Sequence, residues 1–497
     1  VPVGANRAWA AFSSRQGEGR GGAARARVDG PAVAGPRRSA RVILDEIIQP
    51  HPALPVSVGV IGADVDPDYV GDHEARQIAR EFFKLDHVEV AAHGYSHPYD
   101  WHYFEAYDSD AERALRESMP GQVRGPTPLA RLTGWAAAAF GLERYNRDRA
   151  RPVAAPAALT RAFSVEPFSL DREIGAALDM ATALAPPGKP ARLFQWTGDG
   201  EPFSEAIRAT RLAGVANING GENRYDAVLP SVAYLSPILR EMSGEMQVYA
   251  PNTNEIFYTN DWTGPFFGLA LVAQTVARTG APVRFKPYDL YYHMYSGERR
   301  ASLQALKDLV ALGLTDEFIA MRVSDYAHIA TSFPGVRIVR TAAQTWRIDN
   351  RGALDTLRLD DPGGLWPDPV ASQGYLGARL VNGALYVALD PAAAGAKLVF
   401  TKAPRAGPIL EQSSWDLSAL ERRECGFSVL AAGFGDGIMQ WTGLPAGILT
   451  ASVERDGRLL WSRELETTDG RISLGIPVHA VQPVRLTVRC GDARAVP

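Results

Sequence analysis

The string VEVAAHGYSHPYDW, Val88 to Trp101, sets His93 and His97 four residues apart at the end of an alternating apolar run. The chain holds only nine histidines in 497 residues. A turn with this spacing brings two imidazoles to one side. There they can share one divalent ion, zinc or another, that activates a water and polarises a carbonyl. The plain alternative is a pair of hydrogen-bonded loop residues. Other polar groups fall at similar places. WTGDGEP carries Asp199 and Glu201, NINGGENRYD carries Asn219, NTNEIFYTNDW carries Asp261, and YYHMYS carries His293. Asp199 suits a role in the site or an N-cap for a helix starting near Pro202. Tyr95, Trp101, Trp196 and Trp262 stand near the same strand ends, where aromatic residues often only close the core.

These groups need elements to hold them. Short apolar runs at Leu54–Gly62, Val88–Ala92, Ala191–Gly198, Gly214–Gly220, Met246–Pro251, Tyr288–Ser296 and Phe318–Tyr326 read as strands. Asp72–Leu85 reads as an amphipathic helix capped by Asp72, with further helical stretches between the later strands. Alternating strands and helices predict parallel strands with crossover helices, and about seven or eight such units suit a closed barrel. Chemistry in such folds sits at the C-terminal strand ends. Asp108 to Pro190 reads as a helical insertion. After Trp346 the pattern becomes short alternating strands with Gly, Asp and Asn turns, among them the hairpin signal ERDGRL, which predicts an all-β sandwich.

Composition excludes some classes. Apolar content of 46% and charged content of 22% are those of a globular protein, and a net charge of −4 offers no field for nucleic acid. No apolar run reaches the roughly 18 residues of a membrane span, and no signal peptide is visible. Cys425 and Cys490 form a disulfide only in an oxidising compartment, and the sequence leaves both states open. Residues 1–38, rich in Gly, Ala, Arg and Pro, read as poorly structured.

HGYSHP, followed by QWTGDGEPFSEAI, NINGGENRYD, APNTNEIFYTNDWTGPFFG and PYDLYYHMYSGERRASLQALKDL, resembles the NodB-type polysaccharide deacetylases (carbohydrate esterase family four), in particular the PelA-like members. Gly94 stands where that family has Ser or Thr. The resemblance implies a NodB-like (β/α) barrel over residues 39–340 and a jelly-roll-like sandwich over 345–497. It implies zinc-dependent de-N-acetylation of an amino-sugar exopolysaccharide in biofilm matrix biosynthesis, in the periplasm, beside export machinery. It assigns His93, His97 and Asp29 to the metal, and Asp29, Asp199 and His293 to catalysis. Tyr95, Trp101, Trp196, Asn219 and Trp262 would bind substrate.

The first motif departs from that pattern. The family places two carboxylates there, whereas RARVDGPAV offers only Asp29. Arginines in the strand that should carry it would be buried at a cost of several kcal/mol. Residues 1–38 therefore also suit a stretch translated in a shifted frame, with activity impaired. Two rivals are a polysaccharide-binding protein without catalysis and a glycoside hydrolase using Asp199, Glu201 or Asp261.

Overall fold

The computed structural model describes residues 7–9, 11–13, 39–69, 71, 73–117, 160–163, 167–281, 283–315, 318–404 and 406–490. A mixed α/β part is followed by an all-β part. Five parallel strands form one sheet in the order β2 (Ala11–Ser13), β3 (Val56–Val60), β4 (Val88–Ala92), β5 (Leu193–Gln195) and β6 (Ala216–Ile218). A second parallel sheet sets β1 (Arg7–Trp9) between β9 (Tyr288–Asp289) and β10 (Ile319–Met321). β1 and β2 are backbone strands within the segment read as poorly structured. The rest of residues 1–38, Asp29 and its motif included, lies outside the described residues, as does the expected cap Asp72.

Both faces of the five-stranded sheet are covered, which is why β3 and β4 are apolar along their length. One face of β4, Val88, Val90 and Ala92, packs with the helix His73–Lys84, whose Ala75, Ile78, Ala79, Phe82 and Phe83 follow the 3.6-residue period. The other face puts Ala91 against Leu193, Ile218, Met321 and Val323. Glu89 is the charged exception, facing the polar Ser57 of β3. It is buried, and it accepts from Ser57 Oγ at 2.5 Å and from the backbone N–H and hydroxyl of Ser324.

Three expected strands change character. Met246–Pro251 was placed in the parallel series. Instead β8 (Glu245–Val248) pairs antiparallel with β7 (Leu239–Met242). Ser243 and Gly244 have φ of 53° and 80°, the two-residue left-handed turn that joins hairpins. Tyr288–Ser296 shortens to β9, because the His293 N–H goes to the Glu255 carboxylate rather than to a ladder. Phe318–Tyr326 splits into β10 and the helix Val323–Ser332.

From Arg337 onward the strands pair only with one another among the described residues. A six-stranded and a five-stranded sheet share one core, with Trp441, Met439 and Leu474 facing Phe427, Val453 and Val488. A four-stranded sheet packs Ile348, Leu398 and Phe400 against Leu385 and Val387 in a second core. The ERDGRL hairpin forms with Asp456 and Gly457 at φ of 50° and 77°. Cys425 and Cys490 are disulfide-bonded.

Candidate functional site

The C-terminal ends of β4, β5, β6 and β9 gather the polar groups that the sequence singles out. β4 runs straight into the histidine turn. His93 is buried, its N–H bonds Val60 O at 2.8 Å, and its Nδ1 lies 2.8 Å from Gln195 O. A carbonyl oxygen can only accept, so Nδ1 is the donor in that contact. The turn closes with Gly94 at φ 70° and His97 at φ 56°, and the two imidazole centroids come within 5.1 Å. The spacing thus does bring the rings together. The metal expectation fares differently. Among the described residues no group of three His, Cys, Asp or Glu could hold an ion, and Asp29, the expected third ligand, lies outside them. A pair alone does not make the three-ligand site expected for catalytic zinc.

His293 sits beyond β9 with Glu255, a residue the sequence reading quoted but did not single out. Glu255 is fully buried. It accepts from the His293 N–H at 2.7 Å and Ser296 Oγ at 3.0 Å, and lies 3.1 Å from His293 Nδ1. Tyr295 stacks on the imidazole with centroids 4.9 Å apart, and its hydroxyl lies 3.0 Å from Nδ1. The local signal was Asn254, whose side chain caps the short helix Glu255–Tyr258 and so fixes the residue after it.

Asp199 is exposed in the loop after β5, its Oδ1 accepting the Glu201 N–H at 3.0 Å and its Oδ2 the Trp101 N–H at 3.4 Å. Loss of hydration raises its carboxyl above the ordinary aspartate range, and the charges of Asp100 and Glu201 add to the rise, against two backbone hydrogen bonds. It does not cap the helix Ser204–Leu212, whose N-cap position is Phe203. Glu201 is also exposed, with Oε2 3.6 Å from His102 Nε2.

The aromatic candidates separate. Trp101 and Trp196 are 0% and 1% exposed, pack edge-on at 5.0 Å, and donate their indole N–H groups to Thr197 O and Asn217 Oδ1. They belong to the core and present no face to a sugar. Tyr95 is also buried, its ring under the Arg172 guanidinium at 4.7 Å and its hydroxyl on Asp66. Asn219 spends its side-chain amide on Trp196 O and Tyr291 Oη. Trp262 alone of the four stays partly open, 4.6 Å from the Tyr295 ring. It ends a run of three left-handed residues, Asn260, Asp261 and Trp262, with φ of 48°, 54° and 59°. Left-handed non-glycine backbone is costly and persists where its surroundings over-determine it.

No family model matches the chain, and no curated protein matches it. Three solved structures show partial likeness. The 4-alpha-glucanotransferase of Thermococcus litoralis is 12% identical with a TM-score of 0.35, over 65% of this chain and 40% of that one, so the chain spans well under half of its length. The GH30 endoxylanase of Clostridium papyrosolvens is 8% identical over 98% and 97% of the two chains, with a TM-score of 0.18. A glucosidase of Croceicoccus marinus is 11% identical over 99% and 98%, with a TM-score of 0.20. Overlaps this loose do not define a fold or a reaction. None of these three is a polysaccharide deacetylase, and no NodB-type family model matches the chain. The expected family, the de-N-acetylation and the C–N bond hydrolysis are therefore corrected. Strings such as HGYSHP are short enough to arise from turn geometry, which is where the structure places this one.

Proposed function

We propose that the chain is a carbohydrate hydrolase that cleaves glycosidic bonds, with Asp199 as proton donor and Glu201 as the second carboxylate. The observation that carries this reading is the carboxyl of Asp199, solvent-accessible at a strand end yet raised by lost hydration and by two neighbouring acids. Glycoside hydrolysis needs one carboxylic acid kept protonated for the leaving oxygen and one carboxylate to activate water or attack the sugar. Asp199 protonates the glycosidic oxygen. Glu201 serves as the base, and Trp262 offers the apolar face of the indole to a sugar ring.

Two finer points belong to this reading. We take the two parallel sheets as arcs of one barrel, since only Ala10 separates β1 in one from β2 in the other. We place the protein in an oxidising compartment such as the periplasm, since the Cys425–Cys490 bond persists there. No described helix is long and apolar enough to cross a membrane.

The test is release of reducing ends from a panel of β- and α-linked polysaccharides, with acetate release followed in parallel. Asp199→Asn should lower kcat by roughly 10²–10⁴-fold, the usual contribution of a positioned acid. The wild-type rate should fall as pH rises through the Asp199 value, because the acid must be protonated to act. Reducing-end release unchanged in Asp199→Asn, or acetate release without reducing ends, refutes the proposal.

A further inference from the structure

The backbone of the histidine turn is bonded by elements from distant parts of the chain. Gly62 N–H and Ala63 N–H donate to the carbonyls of Gly94 and Tyr95, both at 2.9 Å. The segment 160–163 lies alongside as a short antiparallel partner. Phe163 N–H donates to Ser96 O at 3.0 Å, Ala162 N–H to His97 O at 3.1 Å, and Tyr99 N–H to Thr160 O at 2.7 Å. The amides of Tyr95 and Ser96 do not go to a backbone carbonyl. Both go to one side chain, Glu173, reaching in from the π-helical turn Asp171–Ala176. Its Oε1 accepts from Tyr95 N–H at 2.9 Å and its Oε2 from Ser96 N–H at 2.9 Å and Ser96 Oγ at 2.6 Å.

Glu173 is 2% exposed, so its charge lies in a place where burial opposes ionisation. A buried carboxylate is tolerated when donors converge on it, and here three do, with Arg161 adding a favourable charge. A helix-to-turn attachment alone could be made by an apolar side chain at no such cost. Gly94 explains why the carboxylate fits. A Cβ on residue 94 would lie 2.3 Å from Glu173 Oε1 and 3.3 Å from Thr197 Cγ2, and its φ of 70° already disfavours a side chain.

We propose that Glu173 is the positioning residue of the histidine pair, seated where a side chain of residue 94 would stand. It acts through the amides of Tyr95 and Ser96. By holding these two between the left-handed residues Gly94 and His97, it sets where the His97 ring lies relative to His93. The inference goes beyond the proposed reaction and is independent of which bond is cleaved.

Imidazole NMR of the full chain tests it. Nine histidines give nine ring systems, and His93→Gln and His97→Gln assign the two of interest. In Glu173→Gln, which keeps the shape and removes the charge, the ring signals of His93 and His97 should shift, with those of His293 in place. A folded Glu173→Gln chain whose His93 and His97 signals match the wild type overturns the proposal, whatever its loss of thermal stability. Gly94→Ala is the second variant. It retains Glu173 and forces the carboxylate off its amides, so it should displace the same two rings, and unmoved rings in that folded chain also overturn the proposal. Failure of both variants to fold assigns Glu173 to the fold rather than to the pair and overturns it too. Reducing-end release unchanged in Asp199→Asn, with the ring result intact, would sink the proposed function alone.

Discussion

Arg161→Ala should cost the α/β part far more than a surface charge would. Arg161 and Glu112 are 3% and 0% exposed, and the guanidinium meets the carboxylate with two parallel contacts, Nε to Oε1 at 2.8 Å and a terminal nitrogen to Oε2 at 2.7 Å. Truncation leaves Glu112 buried with only the Tyr107 and Thr160 hydroxyls as donors. Removing one member of such a pair costs about 3–5 kcal/mol, against roughly 0–1 kcal/mol for an exposed pair. A domain has only about 5–15 kcal/mol to lose, so the variant should be marginal. The pH dependence should change sign. In the wild type, burial opposes ionisation of Glu112, but the hydrogen bonds and charge of Arg161 outweigh it and hold the carboxyl below the usual glutamate range. A depressed folded value contributes stability that is complete above the unfolded value and lost as pH falls through the folded one. Without Arg161, burial dominates, the folded value rises, and stability should instead drop as pH rises through it. Urea titrations at several pH values, followed by hydrogen exchange of residues 96–104, measure both effects. A loss below about 1 kcal/mol with the wild-type pH slope would refute the reasoning, since that is the behaviour of a solvated pair.

Trp101→Ala should destabilise by about 3–5 kcal/mol as a large-to-small core change, whereas Trp262→Ala should leave the urea midpoint nearly unchanged and weaken oligosaccharide binding. Equal effects of the two on binding would return Trp101 to the site. The Cys425–Cys490 bond closes a sequence separation of 65 residues, and removing it by Cys425→Ser with Cys490→Ser should cost the all-β part roughly 4 kcal/mol on the chain-entropy account. Denaturation with and without reductant checks this, and a wild-type midpoint insensitive to reductant would contradict it.

Much of the scaffold was legible because local periodicity and burial agree. The strand expected at Val88–Ala92 is β4 residue for residue, and the helix expected at Asp72–Leu85 is described over His73–Lys84. The histidine spacing correctly foretold two neighbouring rings. What failed depends on contacts between distant residues. Tyr288–Ser296 carries an apolar run suited to a strand, but a carboxylate 38 residues upstream takes the His293 amide. Trp101 and Trp196 stand at strand ends, as sugar platforms do, and only the packing of one on the other shows them to be core. Glu173 lay in a polar stretch read as an insertion. Nothing in its neighbours on the chain marks it, because its partners are 77 and 78 residues away.

The stitching of 160–163 onto 96–99, reinforced by Glu112 and Arg161, works as a clip between elements far apart in the chain. Arg161 meets Glu112 across 49 positions, and Thr160 adds its hydroxyl to the same carboxylate. The carboxylate belongs to the helix Ser109–Glu117, while the backbone of 160–163 is bonded to the histidine turn. An outward displacement of that helix is therefore transmitted through one ion pair to the turn, and the two should open as a single unit in hydrogen exchange.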